Sequence, residues 1–76
     1  MHMHRHKINL NTFRDCVRFV NAIKGCRCKI SLEDGAGYKI NAKSLLGALA
    51  TIEWDNLYCC SEEDIYSLIE HWVILI

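Results

Sequence analysis

Ser44 is the side chain whose position most clearly suggests chemistry, because it stands where a predicted strand runs into a short helix. Lys43 precedes it, and Leu45 and Leu46 follow. The unpaired N–H groups at a helix N-terminus favour a serine hydroxyl as a cap and suit a phosphate carried by that hydroxyl. Ser44 is therefore a candidate phosphorylation site. From these residues alone, a structural role is favoured, with Ser44 as the cap and both leucines in the core.

Five cysteines are the next reactive groups in the chain. Cys26 and Cys28 alternate along a predicted strand, while Cys59 and Cys60 are adjacent, so these thiols could bind zinc only if their strands were neighbours. The first pair shares an apolar face, which favours a simpler interpretation as small core residues. The C-x-x-C arrangement typical of redox sites is absent. We predict no metal and no cofactor.

Three histidines, His2, His4 and His6, alternate near the N-terminus and could present imidazoles on one face of a strand. Two-residue spacing is a weak indication of a metal site. A frayed or added terminal segment is the favoured explanation.

Composition predicts a single domain spanning residues 1–76, of which 51% are hydrophobic. The net charge is zero, yet all nine Lys and Arg lie between Arg5 and Lys43. Residues 44–76 contain six acidic residues and no Lys or Arg. The favoured explanation of this asymmetry is that the two halves pack together and bring their opposite charges close, rather than that the basic half forms a docking surface. Nucleic-acid binding is not predicted, because the basic residues are not interleaved with aromatic ones.

The apolar stretches predict neither secretion nor membrane insertion. The N-terminus lacks the apolar run of a signal peptide, so the cysteines indicate cytoplasmic thiols. The apolar C-terminal stretch is interrupted by Glu70 and His71, whereas a bilayer requires about 20 apolar residues.

Periodicity places these residues on a succession of elements. Alternation up to Leu10 predicts a first strand. Helical spacing follows, with Thr12 and Asp15 at capping-box positions and Gly25 as the C-terminal cap. Alternation over residues 26–32 predicts a half-buried second strand.

The second half continues with a turn over residues 33–37 and a third strand whose inward face carries Tyr38 and Ile40. A short helix over residues 45–50 and a strand over residues 57–60 follow. A final helix opens at Ser61. Its predicted buried residues are Ile65, Leu68, Ile69, Trp72 and Val73. Helices covering one face of the sheet would bury these faces together as an open-faced α+β sandwich.

This element order resembles the HPr family of phosphocarrier proteins of the bacterial phosphotransferase system, over residues 10–75. The most specific part of the resemblance is Asn41-Ala42-Lys43-Ser44-Leu45-Leu46-Gly47; Phe19-Val20, Lys24-Gly25 and Ile69-Glu70-His71 support it. The resemblance implies a βαββαβα fold, with a four-stranded antiparallel sheet and three helices on one face.

In the HPr family, a histidine at the start of the first helix takes phosphate from phosphoenolpyruvate through enzyme I and passes it to sugar transporters. In Gram-positive members, an ATP-dependent HPr kinase phosphorylates the serine before the second helix as a regulatory signal. Ser44 falls on that serine. The active-site histidine falls on Thr12, the family arginine on Arg14, and the following proline on Asp15. A threonine ester does not relay phosphate readily, and a carboxylate repels a phosphoryl group.

We therefore expect a cytoplasmic phosphoprotein that is not an enzyme and lacks phosphoryl-relay activity. The resemblance implies protein partners in sugar transport or carbon catabolite repression: an HPr kinase, a transcriptional regulator or a phosphotransferase-system protein. The expected regulatory site is Ser44, and the expected partner-binding residues are Arg14, Lys43, Leu45 and Leu46. A phosphocarrier with a non-standard acceptor and a structural or metal-binding module remain alternatives.

Overall fold

Strands and helices alternate in the order βαββαβα along residues 3–75, the part of the chain that the computed structural model describes. The elements are β1 (His4–Lys7), α1 (Phe13–Ile23), β2 (Ile30–Glu33), β3 (Lys39–Asn41), α2 (Leu45–Ala50), β4 (Tyr58–Ser61) and α3 (Tyr66–Ile69). Short 3-10 turns cover Thr51–Glu53 and Glu70–Trp72. The predicted α+β class and element order are confirmed.

The four strands form one antiparallel sheet in the order β1-β4-β2-β3. In this sheet, Cys59 of β4 lies opposite His6 on one side and Leu32 on the other. Side chains alternate between the faces, so Ile30 and Leu32 are buried while Ser31 is only half-buried. Buried residues from all three helices join the same core, so the helices cover this face.

Helix α1 supplies a continuous apolar stripe to this core. Cys16, Phe19 and Ile23 recur at helical spacing and are fully buried. The Phe19 ring meets Trp72 edge to face, with the ring centroids 5.5 Å apart. This contact anchors the turn after α3 against the first helix.

The segment between α1 and β2 differs from expectation. Strand β2 begins at Ile30, and residues 26–29 are irregular with a bend at Cys28. The predicted cap role of Gly25 is also wrong: the C-terminal cap is Lys24 in right-handed helical conformation, and its N–H donates to the Val20 carbonyl. Gly25 has no positive φ.

The β2–β3 connection requires glycine at two positions, Gly35 and Gly37, where φ is 85° and 102°. The Asp34 side chain holds the turn by accepting the N–H groups of Ala36, at 2.7 Å, and Tyr38, at 3.1 Å. The predicted inward orientation of Tyr38 is wrong. The residue is 60% exposed, and its ring packs against Trp54, with the ring centroids 5.5 Å apart.

The C-terminal helix is shorter than predicted. Ser61 does not cap it but is the buried last residue of β4, with its hydroxyl donating to the Glu63 carbonyl. Helix α3 begins at Tyr66, and Leu68, predicted to be buried, is exposed. The chain then becomes extended, and Ile74 donates its N–H to the Lys7 carbonyl at 2.9 Å. This segment runs beside the end of β1.

No helix within residues 3–75 has both the length and the apolar character needed to cross a bilayer.

Gly35→Ala tests the turn. We expect it to lower the free energy of unfolding by about 1 to 2 kcal/mol, because an L side chain is strained at positive φ and the added Cβ would lie 3.1 Å from the Tyr58 ring. Gly25→Ala is the matched control, since its Cβ would meet nothing within 4 Å. In urea unfolding, the free energy of unfolding of the control should lie within about 0.5 kcal/mol of the parent value or above it. Equal losses in both variants would contradict these backbone assignments.

Candidate functional site

Ser44 is the N-cap of α2, as its position in the sequence predicts. Its backbone is extended, and its Oγ accepts the N–H of Gly47 at 3.2 Å. Asn41 prepares this geometry, because its side-chain oxygen accepts the Lys43 N–H at 2.9 Å and its carbonyl accepts the Ser44 N–H at 3.2 Å. A tight Asn-led turn therefore delivers the serine to the start of the helix.

Gly47 allows α2 to lie close to the end of β3. A Cβ at this position would fall 3.1 Å from Cδ1 of Ile40 and 3.3 Å from the carbonyl oxygen of Asn41. The latter is a backbone atom and cannot rotate away. The glycine therefore lets the first turn of α2 contact the strand directly.

The two leucines after Ser44 do not belong to the buried core. Leu45 is 36% exposed and Leu46 is 81% exposed, so the expectation that both pack inside is wrong. Ala48 is the buried residue of α2, and its carbonyl oxygen lies 3.5 Å from the Cys16 thiol of α1. A small alanine brings the two helices together and leaves Leu46 facing solvent.

Lys43 is held in place by its side chain. Its Nζ donates a hydrogen bond to the carbonyl oxygen of Cys26. This contact joins the turn before α2 to the irregular segment before β2. The ammonium group therefore lies between the turn that precedes Ser44 and the irregular segment that contains Cys26.

The start of α1 carries the second predicted cap. Thr12 Oγ1 accepts the N–H of Asp15 at 3.0 Å, and the Asp15 carboxylate accepts the N–H of Asn11 at 3.3 Å. The predicted Thr12 cap is confirmed, and the Asp15 carboxylate faces back toward the start of the helix as predicted, but it accepts the N–H of Asn11, one residue before the cap, and so does not complete a reciprocal capping box. The acidic side chain lies beside the hydroxyl. Arg14 is exposed on the same turn.

The two capped helix ends lie near one another. Cys16 and Ala48, which join the helices, each lie four residues after a cap, Thr12 or Ser44. A helical turn spans about 5.4 Å, so each cap is about one turn from this contact. The exposed Phe13 and Leu46 belong to these first turns. The fold thus packs the first turns of the two helices against the same contact.

The histidines are placed as follows. His4 and His6 belong to β1 and pair with β4, so the predicted first strand is confirmed for them and a frayed terminus is wrong; His2 lies outside the described residues. The His6 ring packs on Tyr66, with centroids 5.4 Å apart. Within residues 3–75, no group of three or more His, Cys, Asp or Glu side chains is arranged to hold a metal ion.

The cysteines divide into two environments. Cys16, Cys59 and Cys60 are buried. Burial raises the pKa of Cys59 to about 12, and burial together with a hydrogen bond to Glu33 raises the pKa of Cys60 to about 11. Cys26 and Cys28 instead form a close pair, with their Sγ atoms 3.0 Å apart, and Cys26 is only half-buried. Both cysteines pack at the core, as the sequence predicts, but the contact between their sulfur atoms was not predicted.

Comparison with protein-family models, with curated proteins and with solved structures finds no match to this chain.

Ser44→Ala should lower the free energy of unfolding by about 1 kcal/mol, because the Gly47 N–H loses its side-chain acceptor. Ser44→Asn is the control, since asparagine is an equally good N-cap, and it should retain most of the stability. Urea denaturation measures both. Equal stability of the alanine variant and the parent would show that the hydrogen bond contributes nothing.

Leu46→Ala should change the free energy of unfolding by less than about 0.5 kcal/mol, because the side chain is mostly in water. Leu32→Ala, at a fully buried position, should cost about 2 to 5 kcal/mol. Thermal or urea unfolding compares the two variants. A large loss from Leu46→Ala would mean that this leucine serves the core after all.

Proposed function

We propose that this chain is an HPr-like regulatory protein that acts by binding protein partners and does not relay phosphate. The observation that carries the proposal is the exposure of Leu46, 81%, two residues after a serine that caps α2. Leu46 lies outside the buried core and leaves its apolar surface in water. It is suited to a partner surface that also includes Leu45, Lys43 and Arg14.

The environment of Thr12 supports the absence of relay activity. A hydroxyl nucleophile requires a neighbouring base, whereas Thr12 Oγ1 accepts the Asp15 N–H and has a carboxylate beside it. The negative charge opposes the approach of a phosphoryl group. The threonine therefore serves the helix, and the protein has no catalytic role in the proposal.

Phosphorylation of Ser44 would regulate this surface. A phosphoserine carries about 1.5 to 2 negative charges at pH 7 and three strong acceptor oxygens. These oxygens could keep the Gly47 N–H as a donor and compete with the Cys26 carbonyl for the Lys43 ammonium. The new charge would lie next to Leu45 and Leu46. A partner could then distinguish the modified surface from the unmodified one.

The resemblance to the HPr family gives the partners by class. An HPr kinase would modify Ser44, and a transcriptional regulator of carbon catabolite repression or a phosphotransferase-system protein would bind the surface. The location implied is the bacterial cytoplasm.

Incubation with a Gram-positive HPr kinase and ATP is the direct test. We expect one phosphate per chain, located on Ser44 by tandem mass spectrometry. Ser44→Ala should remain unmodified, while Leu46→Ala should retain the acceptor. An unmodified parent chain, or a phosphate that persists in Ser44→Ala, would contradict Ser44 as the regulatory site.

Incubation with enzyme I and phosphoenolpyruvate tests the alternative of a phosphocarrier with a non-standard acceptor. We expect no mass increase, because Thr12 offers no activated nucleophile. An authentic HPr protein in the same tube is the positive control. An acid-labile phosphate on this chain would favour the carrier alternative.

A further inference from the structure

We propose that Cys26 and Cys28 form a dithiol that is oxidised reversibly to an intramolecular disulfide by an anionic low-molecular-weight disulfide. The inference goes beyond regulation at Ser44 and does not depend on it. It rests on the contact between the two sulfurs and on a basic groove that Cys28 lines and whose Lys43 side chain contacts the Cys26 carbonyl.

The geometry favours bond formation between these two side chains. Their Sγ atoms are 3.0 Å apart, and residues 26–29 are free of strand pairing. A disulfide has sulfurs about 2.05 Å apart, so closure requires a movement of about 1 Å. An irregular segment can make that adjustment without breaking the sheet, which begins at Ile30.

The two sulfurs are suited to different steps. Cys26 is half-buried, whereas Cys28 is buried. The hydrogen bond with Cys26, aided by burial, raises the pKa of Cys28, although the backbone N–H of Glu63 acts in the opposite direction. Either thiol can donate in this contact, and Cys26 is the more exposed of the two residues. Cys26 is therefore the sulfur from which attack begins.

The other three thiols are poor competitors. Burial raises the pKa of Cys16, with a contribution from Asp15, and burial is the main cause that raises the pKa of Cys59 to about 12 and that of Cys60 to about 11. A thiol reacts as its thiolate and must reach the reagent. Buried, protonated thiols meet neither condition.

A groove beside Cys28 indicates the class of reagent. It has a volume of about 630 Å³ and is lined by four basic residues and one acid. The basic residues are Arg27, Lys29, Lys39 and Lys43, and the acid is Glu62. The Glu62 carboxylate accepts the backbone N–H of Lys29 at 3.0 Å, which uses part of its hydrogen-bonding capacity. The balance of charge favours an anion, and glutathione disulfide is such a molecule.

The reaction balances as two exchanges. The Cys26 thiolate attacks one sulfur of the external disulfide, whose S–S bond breaks and releases one thiolate. Cys28 then loses its proton to that thiolate and attacks the Cys26 sulfur, which releases the second thiol after protonation from solvent. Two electrons pass from the cysteine pair to the external disulfide, giving one protein disulfide and two small thiols.

Glutathione disulfide and the reduced full-length chain provide the test, with iodoacetamide quenching and peptide mass mapping. We expect loss of two hydrogens and a disulfide between Cys26 and Cys28. Trypsin cleavage after Arg27 would leave that disulfide joining two peptides. Cys28→Ala should stop at one glutathione on Cys26, while Cys60→Ala should behave like the parent. A disulfide between any other pair of cysteines would overturn the proposal. So would alkylation of all five thiols of the protein under conditions in which a reference dithiol peptide, treated in parallel, is oxidised.

Charge preference is tested with the parent chain alone, so that no variant needs to fold. Relative to their rates with a free cysteine peptide, glutathione disulfide should react about tenfold faster than the cationic disulfide cystamine at low ionic strength. The ratio should shrink as salt is added. Equal rates, or faster reaction with cystamine, would overturn the assignment of an anionic reagent.

Discussion

Strand β4 lies between β1 and β2, and the other elements take their positions from these two antiparallel pairings. Cys59 at its centre is buried and lies between the half-buried His6 of β1 and the buried Leu32 of β2, so that these three strands contribute to the same face. The helices pack on that surface, and their buried residues join one cluster with it. β4 also pairs the second half of the chain with the strands β1 and β2 of the first half.

Helix contact then determines where the exposed residues lie. Cys16 and Ala48 are small enough for α1 and α2 to approach closely, and Gly47 allows α2 to rest on the end of β3. Both helices consequently start near one another, with a hydroxyl cap at each end. In the function we propose, one hydroxyl, Thr12, has only a structural role. Ser44 combines a structural role with a regulatory one.

Local patterns predicted what local physics controls. The Thr12 cap, the Ser44 cap and the turn over residues 33–37 depend on neighbours within four residues, and they were predictable. The exposure of Leu46 and Leu68 was not predictable, because the sequence does not show which face of a helix packs against the rest of the protein. Ser61 is a residue type that often caps helices, yet it pairs with β1 and β2 and is therefore the last residue of β4. The proximity of Cys26 to Cys28 also depends on tertiary structure, since the bend before β2 has no strong turn residue.

The central claim is that Ser44 is the phosphate acceptor and that Thr12 is only a cap. A ³¹P NMR spectrum tests it most directly, recorded after one sample has been exposed to HPr kinase with ATP and to enzyme I with phosphoenolpyruvate, and then separated from both enzymes. We expect a single phosphoserine resonance, which is absent from Ser44→Ala. A phosphoramidate resonance from histidine, or a phosphothreonine resonance, would contradict the claim.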